Sequence, residues 1–98
     1  MLNHRFHPEA YEEMLGAKTY IKTDDLVEGG LFEIAFNEAL KWSRIEPLLF
    51  RCFEKDYRKI KVGKFRYSIV FRIRMDEVQI LAVAHHSKKP GYWKNRKM

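Results

Sequence analysis

Apolar and polar positions along the chain change their period near its midpoint. Between Glu9 and Ile45 they follow a helical repeat, in which Ala10, Met14, Ala17 and Ile21 recur at steps of four, three and four and so share one face. His7-Pro8-Glu9 opens this helix well. Proline is tolerated where the first N–H has no helical partner, and Glu9, Glu12 and Glu13 lie at the positive end of the helix dipole. Lys22-Thr23-Asp24-Asp25 then interrupts the repeat with good capping residues, and a second helix is expected from about Asp25 to Ile45. Its apolar stripe reads Leu31, Ile34, Ala35, Ala39 and Trp42. Gly29-Gly30 leaves two readings open: the helix starts late, at about Leu31, or the glycines let it approach the first helix closely. Pro47 ends the segment by steering its predecessor out of the helical region.

Beyond Pro47 the pattern is extended. Tyr57 to Val62 alternates in part, and Gly63-Lys64 reads as a turn. Phe65, Tyr67, Ile69, Phe71 and Ile73 alternate with Arg66, Ser68, Val70, Arg72 and Arg74, which predicts a long strand with its aromatic and aliphatic set toward the core. After a turn at Met75-Asp76-Glu77, Val78, Ile80, Ala82 and Ala84 alternate with Gln79, Leu81, Val83 and His85, which completes an antiparallel hairpin. Ser87 to Gly91 breaks this strand, and Tyr92 to Arg96 is a short tail with room for one helical turn. With a short first strand at Leu2 to Phe6, the order is strand, two helices, then three strands. That order predicts an α+β fold, an αα-hairpin packed on a three- to four-stranded antiparallel sheet, with residues 1–98 as a single domain.

Composition sharpens this picture. The chain has 98 residues, enough for one core without disulfides or metals, and carries 19 Lys and Arg against 13 Asp and Glu, a net charge of +6. The excess is unevenly placed. Residues 1–54 hold six basic and ten acidic side chains, a net of −4, whereas residues 55–98 hold thirteen and three, a net of +10. On the long strand Arg66, Arg72 and Arg74 share the face opposite the core set, and Lys59 and Lys61 share a face of the preceding strand. A sheet with one basic face fits a phosphate backbone, an acidic protein partner, or plain solvent exposure. No uncharged apolar run approaches the ~20 residues of a membrane span, and the N-terminus has no signal-peptide pattern, so a cytoplasmic protein without membrane contact is expected.

Candidate chemistry is sparse. Paired carboxylates, a nucleophile elbow and a glycine-rich phosphate loop are all missing, which argues against hydrolase, glycosidase and nucleotide-binding activity. Cys52, the single cysteine, excludes an internal disulfide and a cysteine-based metal knuckle, and it reads as a small buried residue. His85 and His86 are adjacent on a strand and face opposite sides, so they do not share a metal. Neither a metal nor a cofactor is expected. One of the two histidines can carry a proton near neutral pH, or pack and hydrogen-bond at the strand end.

Three blocks carry a family resemblance: Phe6-His7-Pro8-Glu9-Ala10, the long strand Phe65-Arg66-Tyr67-Ser68-Ile69-Val70-Phe71-Arg72-Ile73, and Ile80 through His85-His86-Ser87-Lys88-Lys89-Pro90-Gly91-Tyr92-Trp93. In this order, over nearly the whole chain, they resemble the RelE/ParE superfamily of toxins from toxin-antitoxin and plasmid-stabilisation systems. The resemblance implies an αα-hairpin on a curved antiparallel sheet, and a cognate antitoxin that wraps around the chain and neutralises it. It implies two targets. RelE-type members cut mRNA on the ribosome, whereas ParE-type members inhibit DNA gyrase. Carried over by position, Lys59, Lys61 and Lys88 would neutralise a scissile phosphate, and Tyr92 or His86 would move a proton, in a metal-independent endoribonuclease. Arg58, Arg66, Arg72, Arg74, Lys89, Lys94 and Arg96 would contact the target. Ser68 departs from the RelE pattern, which places an arginine near that point, and brings the strand closer to the ParE branch. The ParE-like reading is therefore placed first, the RelE-like nuclease second, and a non-toxic basic nucleic-acid-binding module third.

Overall fold

The computed structural model describes residues 1–98. In chain order they form β1 (Asn3–Phe6), α1 (Pro8–Asp24), α2 (Leu26–Ile45), a short 3-10 turn (Pro47–Leu49), β2 (Cys52–Glu54), β3 (Tyr57–Lys61), β4 (Tyr67–Arg74) and β5 (Glu77–His85). The sheet order is β1-β5-β4-β3-β2, with β1 parallel to β5 and all other pairs antiparallel. The expected α+β architecture is present. Its sheet has one strand more than the three to four expected because the three-residue β2 pairs on the β3 edge, while the expected first strand β1 docks parallel on β5 at the other edge.

Both helices start where the capping residues predict. The His7 Nδ1 accepts from the Glu9 N–H at 3.0 Å, with Pro8 in the first turn, and one Asp25 carboxylate oxygen accepts from the N–H groups of Val27 and Glu28. Gly29 settles the two readings of the glycine pair. The second helix runs unbroken from Leu26, and Gly29 is buried where α2 crosses α1: a Cβ there would lie 2.8 Å from Lys22 Cα, while one at Gly30 meets nothing within 4 Å. Gly29→Ala should therefore destabilise the fold by about 1–2 kcal/mol, a clash offset in part by helix propensity. Gly30→Ala should stabilise it by roughly 0.5–1 kcal/mol. Urea midpoints for the two variants check the pair, and equal midpoints would contradict the close approach.

The stripe expected on α2 needs correction. The buried positions are Gly29, Phe32, Phe36, Ala39 and Ser43, whereas Leu31, Ile34 and Trp42 face outward. Apolar residues occupy both sides of this helix, and the core takes the side that offers two phenylalanines and the glycine crossing. Phe32 and Phe36 then pack with Ala10 and Ala17 of α1 and with Val62, Ile69, Phe71, Val78, Ile80 and Val83 of the sheet half.

A bulge alters the alternation of β5. Val70 pairs with Ala82 but Phe71 pairs with Ile80, so Leu81 is left over and the phase reverses beyond it. Val78 and Ile80 remain in the main core as expected, but Val83 joins them, while Leu81 and Ala82 turn to the opposite face. There they form a second small core with Val70 and Trp93. The outer face of the sheet is thus half covered by the C-terminal tail, which runs in tight turns from Lys89 to Arg96 rather than as a helix. Cys52 is exposed on the edge strand β2, not buried.

Candidate functional site

The register of β3 and β4 places the expected lysines. Arg58 and Ile60 stand opposite Phe71 and Ile69, on the core side, so Lys59 and Lys61 project to the other face beside Val70 and Ser68. The tail returns across that face because Trp93 packs edge-on against Tyr57, 4.7 Å between ring centroids, and against Phe53 at 5.9 Å. Between tail and sheet lies a cleft of about 610 Å³ whose walls include Phe53, Lys59, Lys61, Ser68, His86 and Lys88. Lys89 and the ring of Tyr92 also line it, and no carboxylate does. All five residues carried over as catalytic candidates, Lys59, Lys61, His86, Lys88 and Tyr92, therefore meet at one place.

Their chemical states differ. His86 Nε2 lies 3.1 Å from the Ser68 hydroxyl, and its proton affinity is held below the usual histidine value by desolvation and then by the positive charges of Lys61, His85, Lys59 and Arg66. Both causes favour the neutral imidazole of His86. His85 turns to Ser87 instead, its Nδ1 2.7 Å from that hydroxyl, so the two histidines take separate partners. Lysine ammonium groups sit over aromatic rings, Lys59 at 5.1 Å from the Phe53 centroid and Lys88 at 5.9 Å from that of Tyr92.

The Tyr92 hydroxyl points away from the cleft. It donates to Glu13 Oε2 at 2.6 Å, and burial followed by this carboxylate pushes the phenol far above its ordinary proton affinity. Arg96 closes the same network with Nη1 2.8 Å from Glu13 Oε1 and Nη2 2.9 Å from Oε2, and it also donates to the Leu81 carbonyl. Both side chains are spent on anchoring the tail to α1. Glu13 is the organising residue, and no local pattern marks it, because its partners are Val83, Tyr92 and Arg96.

Most of the arginines assigned to target contact are likewise engaged in the fold. Arg58 donates to the Phe50 carbonyl, Arg72 to Gln79, and Arg74 to Asp56 at 2.8 Å. Lys94 pairs with Glu54. Lys89 does line the cleft, and Arg66 is exposed beside it, its carbonyl accepting from the His86 N–H. The residues missed from sequence are Phe53, on a strand too short to carry a pattern, and Trp93, which roofs the second core.

No helix of the chain is long and apolar enough to cross a membrane. Comparison with curated proteins gives no match. Among solved structures, one described as the chromosomal ParDE TA system from P. aeruginosa shares the fold at a TM-score of 0.70, with 16% identity over 87% of this chain and 96% of that one. Residues 5–90 match the family described as the ParE toxin of the type II toxin-antitoxin system parDE, and this chain belongs to that family.

Proposed function

We propose that residues 1–98 act as one domain, the toxin of a type II toxin-antitoxin module, which arrests growth by inhibiting DNA gyrase until a cognate antitoxin neutralises it. The observation that carries the gyrase reading is the Tyr92 hydroxyl, held 2.6 Å from Glu13. That contact removes from the cleft the phenol that a nuclease of this superfamily would use. What remains is a carboxylate-free set of lysines suited to an acidic protein surface. Induction of the chain in growing cells should produce double-strand DNA breaks while transcripts stay intact, and the purified chain should inhibit supercoiling by gyrase.

His86 favours a second reading, ribosome-dependent mRNA cleavage without a metal. A neutral imidazole beside Lys59 and Lys61 can accept the proton of a ribose 2′-hydroxyl while the lysines balance charge on the phosphate. In that case the same induction cleaves transcripts within minutes, and His86→Ala lowers the cleavage by about 10²–10⁴-fold. Intact transcripts alongside broken DNA decide for gyrase.

A further inference from the structure

The outward face of α2 carries a stripe that the fold leaves uncovered. Val27, Leu31, Ile34, Glu38, Lys41 and Ile45 follow one another at steps of four, three, four, three and four, which is the spacing of a coiled-coil seam. The core takes Gly29, Phe32, Phe36, Ala39 and Ser43 from the other side of the helix, so the seam points away from the sheet. Val27 and Ile34 are 71% and 67% exposed, and Leu31, Ile45 and the flanking Trp42 are exposed as well. Five large apolar side chains aligned on one solvent-facing helix mark a contact surface. The two charges within the seam are unsatisfied. Glu38 and Lys41 take part in none of the chain's ion pairs. One Glu38 oxygen accepts from the Trp42 indole N–H at 2.9 Å, and the other has no partner.

We propose that this seam docks a second copy of the chain, α2 against α2 in antiparallel order about a two-fold axis, with Glu38 of each copy on the partner's Lys41. Acid precedes base along the seam, so a reversed copy of the same helix brings opposite charges together, whereas a parallel copy sets Glu38 against the partner's Glu38. In the charge-matched register Ile34 lies across from the partner's Ile45, and every contact occurs twice, as a self-complementary interface requires. An acidic peptide or a nucleic acid would instead meet a carboxylate in the middle of the stripe. The seam from Leu31 to Ile45 is about 21 Å long. A single helix pair of that length lies near the ~1,000 Å² lower limit of specific interfaces, so the dissociation constant should be about 10–1,000 µM and dilute solutions should hold monomer. The helices and the cleft lie on opposite faces of the sheet, so pairing leaves both clefts open and directed apart. The inference goes beyond the toxin reading and does not depend on which target the cleft takes.

Sedimentation equilibrium of the full chain over a concentration series tests the pairing. The wild-type chain should pass from monomer to dimer as concentration rises, and its backbone NMR shifts should move with concentration between Leu31 and Ile45. Ile34→Ser should weaken association at least tenfold, and so should Glu38→Lys or Lys41→Glu alone, each of which sets like charges against each other. The double exchange Glu38→Lys/Lys41→Glu should restore association to within about threefold of wild type, because it rebuilds the same ion pairs with their signs reversed. All the substituted side chains are exposed, and unchanged circular dichroism checks that the fold is kept. A chain that stays monomeric throughout the series overturns the proposal. Association that ignores Ile34→Ser overturns the seam, and a double exchange no better than the single ones overturns the antiparallel register.

Discussion

Replacing Phe32 with alanine should cost the fold about 4 kcal/mol, a large share of the ~5–15 kcal/mol that holds a chain of this size together. Phe32 is fully buried in the main core, and its ring packs on Phe36, on Phe65 at 5.2 Å and on Tyr67 at 5.5 Å. Removal loses the transfer free energy of the ring and leaves a cavity between helix and sheet that the rigid β4–β5 ladder cannot close. The melting temperature should fall by roughly 20 °C, read by circular dichroism. The effect should reach the cleft as well. Tyr67 stacks edge-on against His85 at 4.9 Å, so the His85 ring resonances should move in the variant. Ile34→Ala is the control, because Ile34 occupies the exposed side of the same helix and its loss should change stability by no more than ~0.5 kcal/mol. A cost below ~1 kcal/mol for Phe32→Ala, or a larger cost at Ile34, would mean that α2 presents its other face to the sheet.

Glu13→Ala should be nearly as damaging, at about 3 kcal/mol, because it orphans several groups at once. The carboxylate accepts from the Val83 N–H, from the Tyr92 hydroxyl and from two guanidinium nitrogens of Arg96. Without it, Arg96 keeps the Leu81 carbonyl and a longer contact of 3.6 Å to Glu9. The segment from Tyr92 to Arg96 should loosen, uncover Trp93 and open the roof of the cleft, and a red shift of tryptophan emission would report it. Hydrogen exchange at the Val83 amide should speed up in parallel.

The same residue sets a pH dependence. Burial alone would raise the Glu13 proton affinity, but the hydrogen bonds from Arg96, Tyr92 and Val83 outweigh it, and the carboxyl is held below its ordinary range. A carboxylate with a depressed native value binds fewer protons folded than unfolded, so its stabilisation is complete above the ordinary carboxylate range and is lost as pH falls through the native value. Glu13→Gln should therefore be less stable than wild type at neutral pH but lose less stability on acidification. Parallel denaturation midpoints across that acid range would rule out this role.

The amino-acid sequence by itself determined the elements whose cause is local. The capped start of the first helix at Pro8, the long β4–β5 hairpin and the division into an acidic helical half and a basic sheet half are all legible because they depend on neighbours a few residues apart, whereas the start of the second helix at Leu26 was left open by Gly29-Gly30. It also placed Lys59 and Lys61 together on one face, since a two-residue step fixes that whatever the strand packs against. Tertiary structure decided the rest. Which side of α2 is buried was not legible, because both sides carry apolar residues and only the Gly29 crossing and the space for Phe32 and Phe36 distinguish them. The bulge at Leu81 has no glycine to announce it, yet it moves Val83 into the main core and builds the seat for Trp93. The basic character of the C-terminal half was correctly located, but its division into working and structural charges was not. Arg96 and Tyr92 answer to Glu13, 83 and 79 residues away, while Lys59, Lys61 and Lys88 are left facing a common cleft. Sequence composition counts charges, but only long-range packing decides which of them are already satisfied, and the ones left over are the ones available to a partner.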